Sequence, residues 1–211
     1  MAHLLHLDSS LAGDNSVSRA VAREYVAHWQ EKHPDGTVTH RDLAAAPPAH
    51  LDWTVVSAGM TPEDQRTPEQ TEAFKARLGY IGEVTAADEV VITAPMYNWS
   101  LPTTLKAWID QLIFVGVTVA DADNPGLFHG KKVTVVTTQG GSYAPGAPKE
   151  GWNHVSPYLA HVLEALGADN VEFVNVEMTL SVVNPALAQF TDVFHASRAS
   201  ASEAVKTRAL V

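Results

Sequence analysis

Three short stretches of this chain combine residue types and spacings that suit ligand chemistry: LDSSLAGDNSVS (7–18), PMYNWS (95–100) and TTQGGSY (137–143). The first sets hydroxyls at Ser9, Ser10, Ser16 and Ser18 around the turn residues Gly13 and Asn15, and runs into a helical pattern. Free N–H groups and the dipole at a helix start attract phosphate, and neighbouring hydroxyls add donors. The chain has no GxxxxGK[ST] and no GxGxxG, so a monophosphate fits better than a nucleoside triphosphate or a dinucleotide. The second stretch is neutral and aromatic, the kind of surface that packs against a flat apolar ring while its backbone and Asn98 meet the ring's polar edge. In the third, the Gly140–Gly141 pair allows close backbone approach, and Tyr143 is placed to shield a site or hydrogen-bond a substrate. Each stretch also has a plain reading: hydroxyls that cap a helix, aromatics that cover a core edge, and a tight turn after a strand.

The elements that must position these stretches follow from hydrophobic periodicity. Leu4 to Leu7 reads as a strand; Val17, Ala20, Val21, Tyr25, His28 and Trp29 recur at helical spacing, with Ser16 as N-cap and Pro34 and Gly36 as terminators. Thr37 to Arg41 is a second strand. Residues 43–68 hold four of the twelve prolines and read as a long irregular connection. A helix from Pro68 to about Ala87 leads to a strand at 89–94, and a helix is expected from Pro102 to Val115. The KKVTVVTT run is a buried strand, HVSPYLAHVLEALGA a helix stopped by Gly, NVEFVNVEM a strand, and Pro185 to about Arg208 a closing helix. Alternating strands and helices predict a single α/β domain over 1–211 with a five-stranded parallel sheet, helices on both faces and right-handed crossovers. The three stretches then fall on one rim, where a doubly wound sheet holds its ligand.

A monophosphate joined to a flat ring with a polar edge describes flavin mononucleotide, FMN. The redox chemistry would belong to the cofactor, which explains why residues 94–101 carry no acid or base.

Composition narrows the alternatives. With 24 acidic and 14 basic residues and a net charge of -10, a nucleic-acid or anionic-membrane partner is disfavoured. There is no cysteine, which removes disulfides, thiol nucleophiles and thiolate metal sites. No GxSxG marks a serine nucleophile. No basic-then-apolar leader and no membrane-spanning run stand out, so a cytoplasmic location is expected. Among ten histidines, His154 and His161 are seven apart and could share a helix face. No third ligand accompanies them, His3, His6, His28 and His33 are scattered, and no metal is expected. Trp53, Trp108 and Trp152 read as packing residues, with Trp53 and Trp152 the better placed of the three to touch a ligand.

The segment APMYNWSLPTTLKAWIDQLIFVGVTV resembles the signature of the FMN-dependent NADH:azoreductases, flavodoxin-like reductases of quinones and azo dyes. The likeness extends over essentially the whole chain, including the SS…S-x-S loop, HGKKVTVVTTQGG and YLAHVLEALGADNVEFV. It implies a flavodoxin-like doubly wound fold. It also implies phosphate contacts at Ser10, Ser16, Val17 and Ser18, ring contacts at Met96, Tyr97, Asn98 and Trp99, and a second flavin loop at Thr138, Gln139, Gly140 and Gly141. The implied activity passes two electrons from NADH or NADPH through FMN to a quinone or azo compound by ping-pong turnover. Asn98 would stabilise the reduced ring, and Tyr143 would act as proton donor or lid. The resemblance also implies a homodimer. Two departures stand out. Thr138-Gln139 replaces a common Ser-Arg pair, and Val119, Ala120 and Asp121 follow GVT where relatives often place an aromatic. The competing expectation is a flavodoxin-type electron carrier whose acidic surface docks on a protein partner.

Overall fold

The computed structural model describes residues 1–211. Its five strands are β1 (His3–Asp8), β2 (Thr37–Asp42), β3 (Glu89–Pro95), β4 (Lys132–Thr138) and β5 (Asn170–Val176). The helices are α1 (Val17–Lys32), α2 (Trp53–Met60), α3 (Pro68–Ala86), α4 (Thr103–Leu112), α5 (Ser156–Ala165) and α6 (Thr191–Leu210). All strand pairs are parallel, in the order β2-β1-β3-β4-β5. The flavodoxin-like doubly wound sheet expected from the alternation is therefore present.

Both faces of the sheet are buried, as parallel sheets require. Leu4, Val91, Val136 and Val174 pack under α1 and α6 against Tyr25, Trp29 and Val205. Leu5, Leu7, Val90, Ile92, Val133 and Val135 pack against α3, α4 and α5 through Val84, Leu105, Trp108 and Leu159. The helix starts follow their caps. The Ser16 hydroxyl accepts from Arg19 N–H, and Thr67 with Gln70 forms a capping box on α3.

Three elements differ from the sequence reading. The proline-rich stretch 43–68 contains α2, which Asp52 caps through Val55 N–H, plus a short 3-10 turn at Glu63–Gln65. Its prolines flank the helix rather than interrupt it. Helix α4 stops at Leu112 rather than near Val115. The Thr118 hydroxyl donates to the Leu112 carbonyl at 2.6 Å and accepts from Phe114 N–H at 2.7 Å, capturing groups the next turn would need. The closing helix starts as a 3-10 turn, Pro185–Phe190, which the Thr191 hydroxyl closes onto the Ala188 carbonyl.

The end of α5 needs glycine. Gly167 has φ +86°, and a Cβ there would stand 2.0 Å from the Pro125 carbonyl oxygen, so this helix end and the loop before β4 touch backbone to backbone.

Leu105 anchors α4, the helix behind the 96–102 loop, and is fully buried. Leu105→Ala is expected to lower unfolding free energy by about 2–5 kcal/mol through lost burial and the cavity left behind. Equilibrium urea denaturation checks this.

Candidate functional site

The order of the strands reverses at β1, whose neighbours are β2 and β3. The loops after β1, β3 and β4 meet at that rim, joined by backbone and hydroxyl bonds. Ser9 N–H donates to the Thr93 hydroxyl at 2.9 Å, tying the end of β1 to β3. The Tyr97 hydroxyl reaches across the crevice to Ser10 Oγ at 3.2 Å and accepts from Leu11 N–H at 3.0 Å. Met96 N–H donates to the Thr138 carbonyl at 2.8 Å, joining the second loop to the third.

The first loop is shaped by Arg19. This buried guanidinium donates to the Ser10 carbonyl at 2.7 Å and to both oxygens of Asp42 at 2.6 and 2.8 Å. The pair stabilises both charged forms: the hydrogen bond to Asp42 raises Arg19, and that from Arg19 holds Asp42 below the usual carboxylate range. At the start of α1, Ser16 Oγ and Ser18 Oγ lie 3.1 Å apart. Arg19 N–H is capped by Ser16, whereas the N–H groups of Val17 and Ser18 have no acceptor in the protein.

The second loop is a tight turn. Tyr97 and Ser100 exchange backbone bonds at 2.8 and 3.0 Å, and the residues between them take φ of +49° (Asn98) and +66° (Trp99), as in a type I′ turn. Asn tolerates this region, whereas for Trp it is strained by about 1–3 kcal/mol. The turn leaves the N–H groups of Asn98 and Trp99 without protein acceptors. Trp99 is half-exposed and meets Trp152 edge to face at 5.4 Å, with Lys149 5.5 Å above the Trp99 ring.

In the third loop the backbone is split by function. The carbonyls of Gln139, Gly140 and Gly141 accept from Thr179, Leu180 and Met178, while Gly140 and Gly141 N–H have no protein acceptor. A Cβ on Gly140 would lie 2.7 Å from Leu180 Cδ1, so a larger residue there would have to push that half-exposed side chain aside.

Thus the structure gathers Ser10, Ser16, Val17, Ser18, Met96, Tyr97, Asn98, Trp99, Thr138, Gln139, Gly140 and Gly141 at one rim. Thr138 and Gln139 are buried and offer little beyond backbone. Asn98 and Tyr143 do not share a cavity. Asn98 lines one of about 880 Å³ with Met96, Lys106, His154 and Tyr158; Tyr143 lines one of about 520 Å³ with Pro148, Leu180 and Phe190. Burial holds the Tyr158 phenol above its ordinary range, so it stays protonated at neutral pH. Burial opposes the Lys106 charge, but Asp110 at 2.6 Å raises its pKa overall. Lys106 and Tyr158 escaped the sequence reading because α4 and α5 look purely amphipathic; only their packing aims these two side chains at the rim. Trp53 begins α2 and is largely exposed, and Trp108 is buried core. His154 precedes α5 and so shares no helix face with His161.

These groups fit FMN. Orphaned N–H donors at a serine-rich helix start suit a phosphate ester. Donors on the second and third loops, beside Met96 and Trp99, suit the polar edge and face of a flat ring.

The flavodoxin-like fold family matches residues 2–197. An FMN-dependent NADH:quinone oxidoreductase of Parafrankia sp. (strain EAN1pec) is 61% identical over 209 residues, covering 99% of each chain. One of the same name from Frankia casuarinae is 56% identical over 211 residues and covers 100% of each. Among solved structures, an azoreductase from Bacillus anthracis str. Sterne superposes with a TM-score of 0.86 at 23% identity, covering 100% of this chain and 99% of its own, a likeness of fold.

Tyr97→Phe removes the hydroxyl that bridges the first two loops and leaves Leu11 N–H without its partner. It is expected to cost about 1 kcal/mol and to speed amide exchange at residues 10–12, measured by hydrogen exchange with mass spectrometry.

Proposed function

This chain belongs to the flavodoxin-like family of FMN-dependent NADH:quinone oxidoreductases, and from that membership we propose that it passes two electrons from NADH through FMN to quinones and azo compounds. The observation that carries this reading is the set of backbone N–H groups without protein acceptors on all three rim loops.

Bound FMN would supply the two-electron chemistry, taking hydride from the nicotinamide and passing the pair on to the acceptor. The protein's part is to hold and to orient. Val17 and Ser18 N–H, with the hydroxyls of Ser10, Ser16 and Ser18, would grip the phosphate. Met96, Tyr97, Asn98 and Trp99 would seat the ring on one side, and Thr138, Gln139, Gly140 and Gly141 on the other. The N–H groups of Gly140 and Gly141, with the Asn98 amide, are free to donate where negative charge gathers on reduction. Trp99 and Trp152 would wall the open face, where donor and acceptor bind in turn, giving ping-pong turnover. Tyr143 acts as lid or proton donor, with the protonated Tyr158 phenol beside Asn98 as a second donor.

A homodimer is supported by Leu180, Val182, Val183, Phe190 and Val193, exposed apolar residues at and beside the Tyr143 cavity. We assign the chain to the cytoplasm, where NADH is held, and read 1–211 as one functional domain. No helix is long and apolar enough to cross a membrane. The carrier reading gains nothing from the relatives, which bear enzyme names.

FMN-loaded protein is expected to oxidise NADH continuously with a small benzoquinone as the sole acceptor; transfer only to a protein partner would refute the enzyme reading. Ser16→Asp separates cofactor holding from folding. Aspartate caps a helix as well as serine, so stability should stay within about 1 kcal/mol. Its charge opposes the phosphate by roughly 4 kcal/mol at 4 Å in a protein-surface dielectric. FMN affinity should therefore fall by at least about tenfold while riboflavin affinity holds, as read by fluorescence titration.

A further inference from the structure

On the α1 face of the sheet, behind the flavin rim, the parallel register pairs His6 of β1 with His40 of β2 and sets Asp8 two residues further along the same face. The imidazoles lie 4.7 Å apart between centroids. Asp8 stands between them: its Oδ1 is 3.3 Å from His6 Nε2 and its Oδ2 is 3.0 Å from His40 Nε2. One ligand atom from each residue can be chosen so that all three lie within 4.8 Å of one another.

Two of these atoms are orphans. His6 Nε2 and Asp8 Oδ1 are buried and have no hydrogen-bond partner, although the residues are only 5% and 3% exposed. Such atoms are costly to leave unpaired. Their 3.3 Å separation matches two ligands on one tetrahedral ion with bonds of about 2.1 Å. His40, on the edge strand, has a half-exposed side chain, so it provides an entry path and the freedom to draw in toward the other two ligands.

The electrostatics favour a cation. Asp8 is the one carboxylate of the cluster and is almost fully buried. Arg19 is the cation nearest the carboxylate, 3.6 Å away, and its charge is already matched by Asp42 at 2.6 Å.

We propose that His6, Asp8 and His40 form a binding site for one divalent transition-metal ion of the Zn²⁺ type, completed by water. Two imidazoles and a carboxylate are a borderline donor set that suits Zn²⁺ over Ca²⁺ or Mg²⁺. The ion would pin β2 to β1 just before Ser9 and Ser10, bracing the base of the first rim loop. The site uses none of the side chains assigned to FMN, so zinc binding tests it independently of the flavin reading.

The test uses the full chain, loaded with FMN and stripped of metal by chelation, titrated with Zn²⁺ alone in a calorimeter. One equivalent should bind, and X-ray absorption at the zinc edge should show two imidazole ligands. His40→Ala, a change at an exposed edge position, should weaken binding by about tenfold or more. His161→Ala, which alters an exposed histidine of α5, should leave it unchanged. Absence of saturable one-equivalent binding, or equal affinity in the His40→Ala protein, would overturn the proposal.

Discussion

The constraint on which the site depends is the reversal of winding at β1. From β1 the chain crosses to β2 through α1 on one face, while β3 leads to β4 through α4 on the other. The helices therefore leave β1 and β3 in opposite directions, and neither can cover the gap above their carboxyl ends. Backbone groups there lack the ladder partners enjoyed by the strand interiors. Ser9 and Met96 satisfy theirs by bonding to neighbouring strand ends. The rest become donors at a helix start, a left-handed turn and a glycine loop. A ligand rich in acceptors is the natural complement of such a rim, and a phosphorylated flavin has acceptors at both its ends.

The shape of the rim is enforced from behind. Arg19 locks the Ser10 carbonyl and Asp42 together, so the first loop is held open against the helix start instead of collapsing onto it. Tyr97 spends its hydroxyl on the first loop, which prevents the turn at Asn98 and Trp99 from swinging away. The strain at Trp99 is local and tolerated because the Tyr97–Ser100 bonds and the His154 N–H to Trp99 carbonyl bond over-determine the turn. That strain sets an aromatic face at the rim, where a small residue would relieve the backbone but expose the ring.

Much of this was legible in the residue order. The apolar run Val90–Val91–Ile92 announced a doubly buried strand, Ser16 announced the helix start, and the alternation of strands with helices announced the sheet. What escaped depends on contacts between residues distant in the chain. The end of α4 is set by Thr118, six residues beyond Leu112, whose hydroxyl has no periodic signature. Helix α2 is framed by prolines that suggest an irregular loop, and only its Asp52 cap betrays it. His6 and His40 look unrelated at 34 positions apart and become neighbours only through the β1–β2 register. Lys106 and Tyr158 belong to helices whose apolar stripes dominate the pattern, and their access to the rim cavity follows from how α4 and α5 pack.

The central claim is that this rim holds a flavin that takes electrons directly from a nicotinamide. The most direct measurement is anaerobic: load the protein with FMN, remove the excess, mix with NADH, and follow the visible flavin absorbance. The account predicts rapid bleaching, reversed on adding a quinone. Bound flavin that stays oxidised with both NADH and NADPH, or a protein that retains no flavin, would contradict it.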